Sequence, residues 1–572
     1  ISHLTELHND SLEVILTFFF NHVEAVTYES LKVPGAPSGS AHFADRRMKM
    51  PRGKSRTVLL FGGTAGLVFY LSNRSDSESS PLLPENLSVI MQCVARSSRA
   101  VATVATVAAD YKYSLHNIPD HSEEYYCELS KVHLRSSMRI RKLCENNKGF
   151  YVKAGQFVAA VRQVPKEYSS TLASLQDKVH PCDFEAMRNV LVNSFGPHWS
   201  EKFLSFDEQP IAAASIAQVH RARLLNQQEV AVKVQYPGLE KHMKVDTMTM
   251  SFISKAVSLI FPQYRFEWLV SQFMKSISAE LDFIQEAENC ERTAKNFRTN
   301  RMIRVPNIYW ELTTKNVLTM QFCNGCKVDD VQFQREKGIS PKKVAKVVVK
   351  VFSEMIFIHG FVHGDPHPGN ILVAPDDVYG FHLVLLDHGI YNTLNNETRQ
   401  NYCELWRAMI LLDAAKISQV ALFFGVPKYA KYFPLIFTGR TLESKAALGG
   451  EMSASEKIKM KSDLKALQMI EITSFVESLP SHFLFMLRID GLLRSISSNL
   501  GLSRNERVLI YAKSALFALS HHPDPQMGFG RKFTDTFNYM RMRILLDLLE
   551  FLSWIEAVKL LFFKIFSLIS GH

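Results

Sequence analysis

Cysteine is sparse in this sequence: eight residues are scattered over 572, and only Cys323 and Cys326 in "FCNGC" lie close together. That distribution excludes a disulfide framework and fits reduced thiols. The single CxxC has neither the second pair of a zinc site nor the flanks of a redox helix. Basic residues are not interleaved with aromatics in any stripe, and no nucleic-acid motif occurs. No nucleic-acid partner is therefore expected, in spite of a net charge of +10. No internal repeat is evident. An uninterrupted apolar run of about 20 residues, the usual length of a membrane span, is also missing.

What is present begins with size. A chain of 572 residues, 47% hydrophobic and 21% charged, is long enough for two or three units with sizeable cores. The basic balance suits an anionic membrane surface or an organellar import signal. Residues 1–47 show no sustained period, and the natural start is expected at Met48 or Met50, with the preceding stretch disordered or non-native. "MKMPRGKSR" then supplies Lys49, Arg52, Lys54 and Arg56 without an acid, followed by sixteen largely apolar residues from Thr57 to Ser72. A basic stretch ahead of a short apolar run marks residues 48–75 as a targeting or anchor segment. The polar, Pro-bounded stretch from Ser75 to Asn86 reads as a linker.

From Ser88 to about Val179 apolar residues recur at three-to-four spacing, which predicts helices. Between Ile211 and Phe322 β-branched runs take over, and "AQVHRARL", "EVAVKVQY" and "NVLTMQF" read as strands. After Pro341 the pattern is helical again, interrupted by "NILV" and "FHLVLLDHG". The expected organisation is a helical extension over 76–199, a β-rich lobe over 200–325, a helical lobe over 326–500 and C-terminal helices over 501–572. The stretch from Ile544 to Ser570 gathers Asp547, Glu550, Ser553, Glu556, Lys559, Lys564 and Ser567 near one face, opposite Leu, Phe, Ile and Trp. It reads as a terminal helix packed on the core, with an interfacial membrane helix as the alternative.

The chemistry is concentrated in "FVHGDPHPGNILV", Phe361 to Val373. Phosphoryl transfer needs a carboxylate at the acceptor, an amide oxygen for one magnesium ion and a second carboxylate for magnesium at a strand end. Asp365 and Asn370 stand at the five-residue spacing of a kinase catalytic loop. Asp387 in "VLLDHG" follows an apolar strand, where its oxygens can bridge metal to phosphate. Upstream, "VAVKVQYPG" sets Lys233 on a strand of alternating Val, suited to the α- and β-phosphates. Each piece alone is weak, whereas their order along the chain is a joint signal for ATP or ADP with Mg. A metal site built from His363, Asp365 and His367 finds no further ligand, and magnesium prefers the oxygen groups already present. His363 reads as a structural turn residue and His367 as lining the site. "NVLTMQFCNG" falls where a kinase hinge belongs, so backbone near Gln321 and Cys323 is expected to face adenine, with Met320 beside it. The acid that pairs Lys233 comes from "SAELDFIQEAENCERTAKNF", which offers Glu280, Asp282 and Glu286.

"YVKAGQ" (Lys153, Gly155, Gln156), "IAAASIAQVH" (Ala212 to Ser215), "ELD" (Glu280, Asp282), "HGDPHPGN" and Asp387 together resemble the UbiB/aarF-domain atypical kinase-like family. The resemblance spans about Val89 to Leu500 and points to the family's mitochondrial branch. It implies an α+β, bilobal protein-kinase-like fold with a small β-rich N-lobe, a helical C-lobe, added N-terminal KxGQ helices and C-terminal helices. It also implies that Lys153 meets Glu280 and Asp282 while Glu286 pairs with Lys233. Taken without it, "YVKAGQ" is a surface helix with an incidental glycine, since Lys153 and Gln156 share a face at i,i+3.

The alanines have a physical meaning of their own. Protein kinases use glycine at this loop so that backbone approaches phosphates at unusual torsions. Ala212, Ala213 and Ala214 carry Cβ atoms that restrict those torsions, so phosphate geometry at Ala212–Ser215 should differ. Gly364 stands where many kinases have the Arg that pairs an activation-loop phosphate, so that switch is expected to be absent. His388 takes the place of Phe in Asp-Phe-Gly. The resemblance implies a mitochondrial, inner-membrane-associated ATPase or small-molecule or lipid kinase serving ubiquinone or lipid homeostasis, with membrane lipids and membrane proteins as partners. One alternative is a non-catalytic scaffold switched by nucleotide. Another is a choline- or aminoglycoside-type phosphotransferase, which would lack the KxGQ helix and the alanine loop. A protein kinase proper ranks last, because the KxGQ helix would obstruct a protein substrate.

Overall fold

In the computed structural model the described residues are 85–119, 122–160, 164–176, 181–214, 216–260, 281–444, 479–521 and 539–552, with a few isolated positions between. The expected segments 1–47 and 48–75, together with Ser215, Glu280 and the end of the apolar C-terminal stretch, lie outside them. The chain divides into two units, one ending at Asp282 and including 314–319, the other formed by 283–313 and the residues from Met320 onward.

The first unit opens with helices α1 (Glu85–Ser114), α2 (Glu123–Asn147), α3 (Phe150–Ala160), α4 (Lys166–Ala173) and α5 (Phe184–Phe195). Ser122 starts α2 as an N-cap whose side chain accepts the Tyr125 N–H. A sheet follows, made of β1 (Phe203–Phe206), β2 (Ala212–Ala213), β3 (Ala217–Leu224), β4 (Glu229–Gln235) and the strand Val317–Gln321. Its order is β1, β3, β4 and then Val317–Gln321, with β2 paired to β3. β4 is buried from Val230 to Gln235 on both faces, as a central strand must be. Helix α6 (Leu239–Ile260) falls within the stretch whose composition read as strands. Arg96 of α1 pairs at 2.5 Å with the fully buried Asp246 of α6, and Ser97 bonds Thr249 at 2.8 Å. An apolar cluster of Ala100, Leu143, Phe150, Leu172, Met243 and Phe273 completes the packing.

The second unit begins at α7 (Phe283–Asn296), followed by β5 (Ile303–Arg304) and, after β6 (the strand Val317–Gln321 already placed in the first unit's sheet), by β7 (Cys326–Lys327) and α8 (Val331–Glu336). Helix α9 (Pro341–Glu354) is rich in Val, yet it is helical because Val344, Val348, Val349 and Phe352 form one buried face. Pro341 sits at its start, and Gly360 (φ 60°) turns the chain out beyond its end. A side chain at 360 would meet the Leu394 carbonyl at 3.1 Å, so only glycine fits. Strands β8 (Phe361–His363), β9 (Ile371–Asp376), β10 (Gly380–Leu385) and β11 (Tyr391–Thr393) come next. β9 and β10 form a hairpin with Leu383 opposite Val373, and β8 pairs β11 with His363 opposite Tyr391. Helices α10 (Asn396–Leu411), α11 (Ala414–Phe423), α12 (Phe433–Thr438), α13 (Ser481–Asn499) and α14 (Arg504–His521) surround a core centred on Phe352, Phe357, Trp406, Phe433 and Phe483. Each such fully buried side chain contributes about 1.5–3 kcal/mol.

The described part of the C-terminal stretch, 539–552, is helical. Met542 and Leu546 enter the core, and Asp547 and Glu550 both pair with Lys513 of α14. Ile544, Leu548, Phe551 and Leu552 remain exposed. Among the described residues no helix is long and apolar enough to cross a membrane.

Candidate functional site

The loop after β8 is organised by hydrogen bonds that leave particular atoms available. The Asn370 amide nitrogen is directed at Asp365, 3.2 Å from its carbonyl and 3.3 Å from Oδ2. Its amide oxygen is thereby turned away from that carboxylate and remains a hard donor, as magnesium requires. Asp387 accepts the Gly389 N–H at Oδ1, 2.9 Å away. His363 lies between the two acids: its Nε2–H donates to the Asp387 carbonyl at 2.7 Å, and its Nδ1 accepts the Asp365 N–H at 3.0 Å. Both ring nitrogens are occupied, so His363 cannot ligate a metal, and burial lowers its pKa. His363 is structural, as its setting suggested, but it ends strand β8 rather than lying in a turn.

Asp387 is fixed further by its neighbour. The backbone of His388 is held by α7, with the N–H 3.4 Å from Glu286 Oε1 and the carbonyl accepting Asn289 Nδ2 at 3.0 Å. The His388 ring donates from Nε2 to the Leu385 carbonyl at 3.1 Å, so its Nδ1 accepts the Tyr391 hydroxyl at 2.8 Å. Tyr391 in turn accepts from Thr293 at 2.9 Å. Where a kinase has an apolar Phe, this chain has a satisfied polar chain of His, Tyr and Thr. Asn289, Thr293 and Tyr391 were not among the expected site residues. The polar character of His388 was the one available hint, because a buried imidazole demands partners.

Gly364 is required by packing. A Cβ there would stand 2.6 Å from Ile390 and 2.8 Å from the Phe485 ring of α13. In the segment expected to form a hinge, Met320 is buried and the Gln321 N–H is committed to the Asn307 carbonyl at 2.8 Å. Cys323 and Cys326 direct their thiols at the carbonyls of Gln321 and Val373, and burial raises the pKa of both.

In the first unit, Lys233 sits on β4 opposite Val219, 8% exposed. The alanine segment is a short hairpin arm: Ala212 pairs Val219, Ala213 pairs Gln218, and the Ala214 N–H is spent on the Ala217 carbonyl at 2.8 Å. That amide is not available to a phosphate. Lys153 and Gln156 lie on α3. Gln156 Nε2 donates to the Leu175 carbonyl at 2.9 Å, and a Cβ at Gly155 would stand 2.5 Å from Leu175 Cδ1 and 3.2 Å from Cys144 Sγ. This glycine is a contact point between packed segments, which removes the reading of an incidental glycine on a surface helix. Asp282 follows Leu281, whose carbonyl accepts Gln235 Nε2 at 2.7 Å from the end of β4.

The elements around these residues belong to a kinase-like α+β fold with extra helices at both ends. A model of the ABC1 atypical kinase-like domain matches residues 174–421. The AarF domain-containing protein kinase 1 of Gallus gallus is 38% identical over 412 residues, 71% of this chain and 79% of the relative. Its Mus musculus counterpart is 36% identical over 471 residues, 81% and 90% of the two chains. A putative ABC1 protein of Arabidopsis thaliana is 33% identical over 545 residues, 88% and 98%. A solved Mycobacterium tuberculosis protein, described in complex with erythromycin, aligns with 62% of this chain at 21% identity and a TM-score of 0.38. The chain belongs to the ABC1/UbiB atypical kinase-like family.

Proposed function

We propose that this chain is a mitochondrial, inner-membrane-associated protein that binds ATP with Mg and turns it over slowly, or transfers its phosphoryl group to a small or lipid-derived molecule. The observation that carries this reading is the Asp365–Asn370 loop and its link through His363 to Asp387, which bring together an amide oxygen and a carboxylate suited to a cation and a second carboxylate suited to the acceptor. Kinase-like domains bind ATP and magnesium in general. Here Asn370 and Asp387 would hold the metal, which would neutralise charge on the phosphates. Lys233, paired with Glu286, would hold the α- and β-phosphates. Lys153, with Glu280 and Asp282, and Gln156 would complete the site, and backbone near Gln321 and Cys323 would meet adenine. The pairing inside the Ala212–Ala214 arm favours slow chemistry, because it withdraws an amide that a glycine loop would offer to phosphate. The exposed apolar row Ile544, Leu548, Phe551 and Leu552 supports contact with a lipid surface. A role in ubiquinone or lipid homeostasis follows from the family resemblance alone.

Nucleotide-induced thermal stabilisation with and without magnesium, for wild type, Lys233→Ala and Asp387→Asn, tests this reading. Magnesium-dependent stabilisation by ATP, lost in both variants, is expected. Equal background ATP turnover in wild type and Asp387→Asn, with binding intact in wild type, would favour the nucleotide-switched scaffold.

A further inference from the structure

We propose that Arg488 of α13 supplies the cation of the transfer site, pairing with Asp365 when no nucleotide is bound and gripping the γ-phosphoryl oxygens when ATP is. The proposal rests on the reading of Asp365, Asn370 and Asp387 as a phosphoryl-transfer site.

The need comes from charge. Phosphoryl transfer leaves negative charge on three equatorial oxygens, and its catalysis is almost entirely positioning and electrostatic stabilisation. The loop from His363 to Asn370 contains no Lys or Arg. Its exposed member, His367, is no substitute. His367 Nδ1 accepts the Gly369 N–H at 3.1 Å, so that nitrogen is already engaged within the loop.

Arg488 meets the need. Its Nη2 lies 4.0 Å from Asp365 Oδ1, while Oδ2 of the same carboxylate takes Asn370. The side chains of Arg488 and Asp365 are 39% and 31% exposed. At that distance and exposure the pair is a loose contact worth little to stability. Two turns later on the same helix, Arg494 behaves differently: it is 14% exposed and held at 2.5 Å by Asp490 and at 2.7 Å by the Ile436 carbonyl. Arg494 is spent on structure, whereas Arg488 is not. The base of Arg488 is nevertheless fixed, because Phe485, three residues earlier on the same face, lies against Gly364 of the loop. The helix is anchored on the catalytic loop while the guanidinium can turn. A planar guanidinium is well matched to two phosphoryl oxygens at once.

In the step itself, the oxygen of a water or alcohol acceptor forms a bond to the γ-phosphorus, and the acceptor proton passes to Asp365. The bond from the γ-phosphorus to the bridging oxygen breaks, and its electron pair leaves on ADP. As Arg488 moves to the γ-phosphoryl oxygens it uncovers Asp365 Oδ1, the atom that takes the proton.

The experiment compares ATP and ADP affinity, with magnesium, in the full chain and in Arg488→Gln and Arg488→Lys, alongside turnover and melting temperature. Arg488→Gln should weaken ATP about tenfold or more, leave ADP within about twofold and slow turnover by at least about tenfold, with Arg488→Lys recovering part of the ATP affinity. Unchanged ATP affinity in Arg488→Gln overturns the proposal, as does turnover that is unchanged or raised. Equal loss of ATP and ADP affinity with a lowered melting temperature overturns it in favour of a structural role. Wild type that binds neither nucleotide defeats the underlying site assignment, and is distinguishable because the failure then precedes any substitution.

Discussion

His363 joins Asp365 to Asp387. One ring nitrogen accepts the Asp365 amide at 3.0 Å and the other donates to the Asp387 carbonyl at 2.7 Å, so two acids 22 residues apart are registered through a single buried imidazole. The tautomer is dictated by the partners, since an N–H needs an acceptor and a carbonyl needs a donor.

Replacing that ring should loosen both acids together. His363→Ala removes two hydrogen bonds at a buried position and opens a cavity, at a cost of about 2–4 kcal/mol. A lowered melting temperature is expected, along with loss of the extra stabilisation that magnesium adds to ATP. Retention of the full magnesium increment would contradict the coupling.

Tyr391 serves His388 in a similar way. Tyr391→Phe keeps the ring stacked on His388 but removes the hydroxyl that serves His388 Nδ1 and accepts from Thr293. Losing that hydroxyl at a buried position should cost about 1–3 kcal/mol. Thr293→Val in the same background should add less than its effect alone, because both changes break one chain. Fully additive losses in denaturant unfolding would count against a connected chain.

The Gly364 contact makes a steric prediction. Gly364→Ala places a methyl 2.6 Å from Ile390 Cγ2 and 2.8 Å from Phe485 Cε2, an overpacking that should cost about 1–3 kcal/mol. Phe485→Leu should be less harmful in Gly364→Ala than in wild type. A double-mutant cycle with coupling near zero would mean that the helix shifts instead.

These residues differ in how far the sequence could reveal them. "AQVHRARL" and "EVAVKVQY" were legible as β3 and β4 because β-branched density is local. The spacing of Asp365 and Asn370 was legible because a turn five residues long brings those two side chains together whatever surrounds it. The Val-rich α9 was legible from the helical period after Pro341, whereas the α6 helix inside a strand-rich stretch was not, since tertiary burial there outweighs local preference. Thr293, Asn289 and Tyr391 could not be found by spacing: they meet His388 only because α7 packs there and β11 returns beside β8. Arg488 was hidden for the same reason, lying 123 positions beyond the aspartate it faces. Gly155 was ambiguous because a glycine needed for close packing and one of no consequence are spelled alike.

Acid should weaken the first unit through His220. Its Nδ1–H donates to the Asp207 carbonyl at 2.8 Å, and its Nε2 accepts from the Gln218 amide at 3.0 Å. Gln218 cannot turn over to welcome a proton, because its oxygen already accepts the Cys182 N–H at 2.8 Å. The ring is fully buried among Phe184 and Phe206, and this burial lowers its pKa from the ordinary 6.5, against the opposing pull of Asp207. A depressed folded-state value means that the unfolded chain binds the proton first. The stability His220 supplies is therefore complete above about pH 6.5 and is lost as pH falls through the window below it. His242, His363 and His382 are shifted the same way by burial, so wild type should melt progressively lower from pH 7 to pH 5. His220→Phe should be less stable at pH 7, because Gln218 loses its acceptor, but its melting temperature should fall less steeply with acid. Parallel curves for the two proteins across that range would show that His220 does not carry the titration.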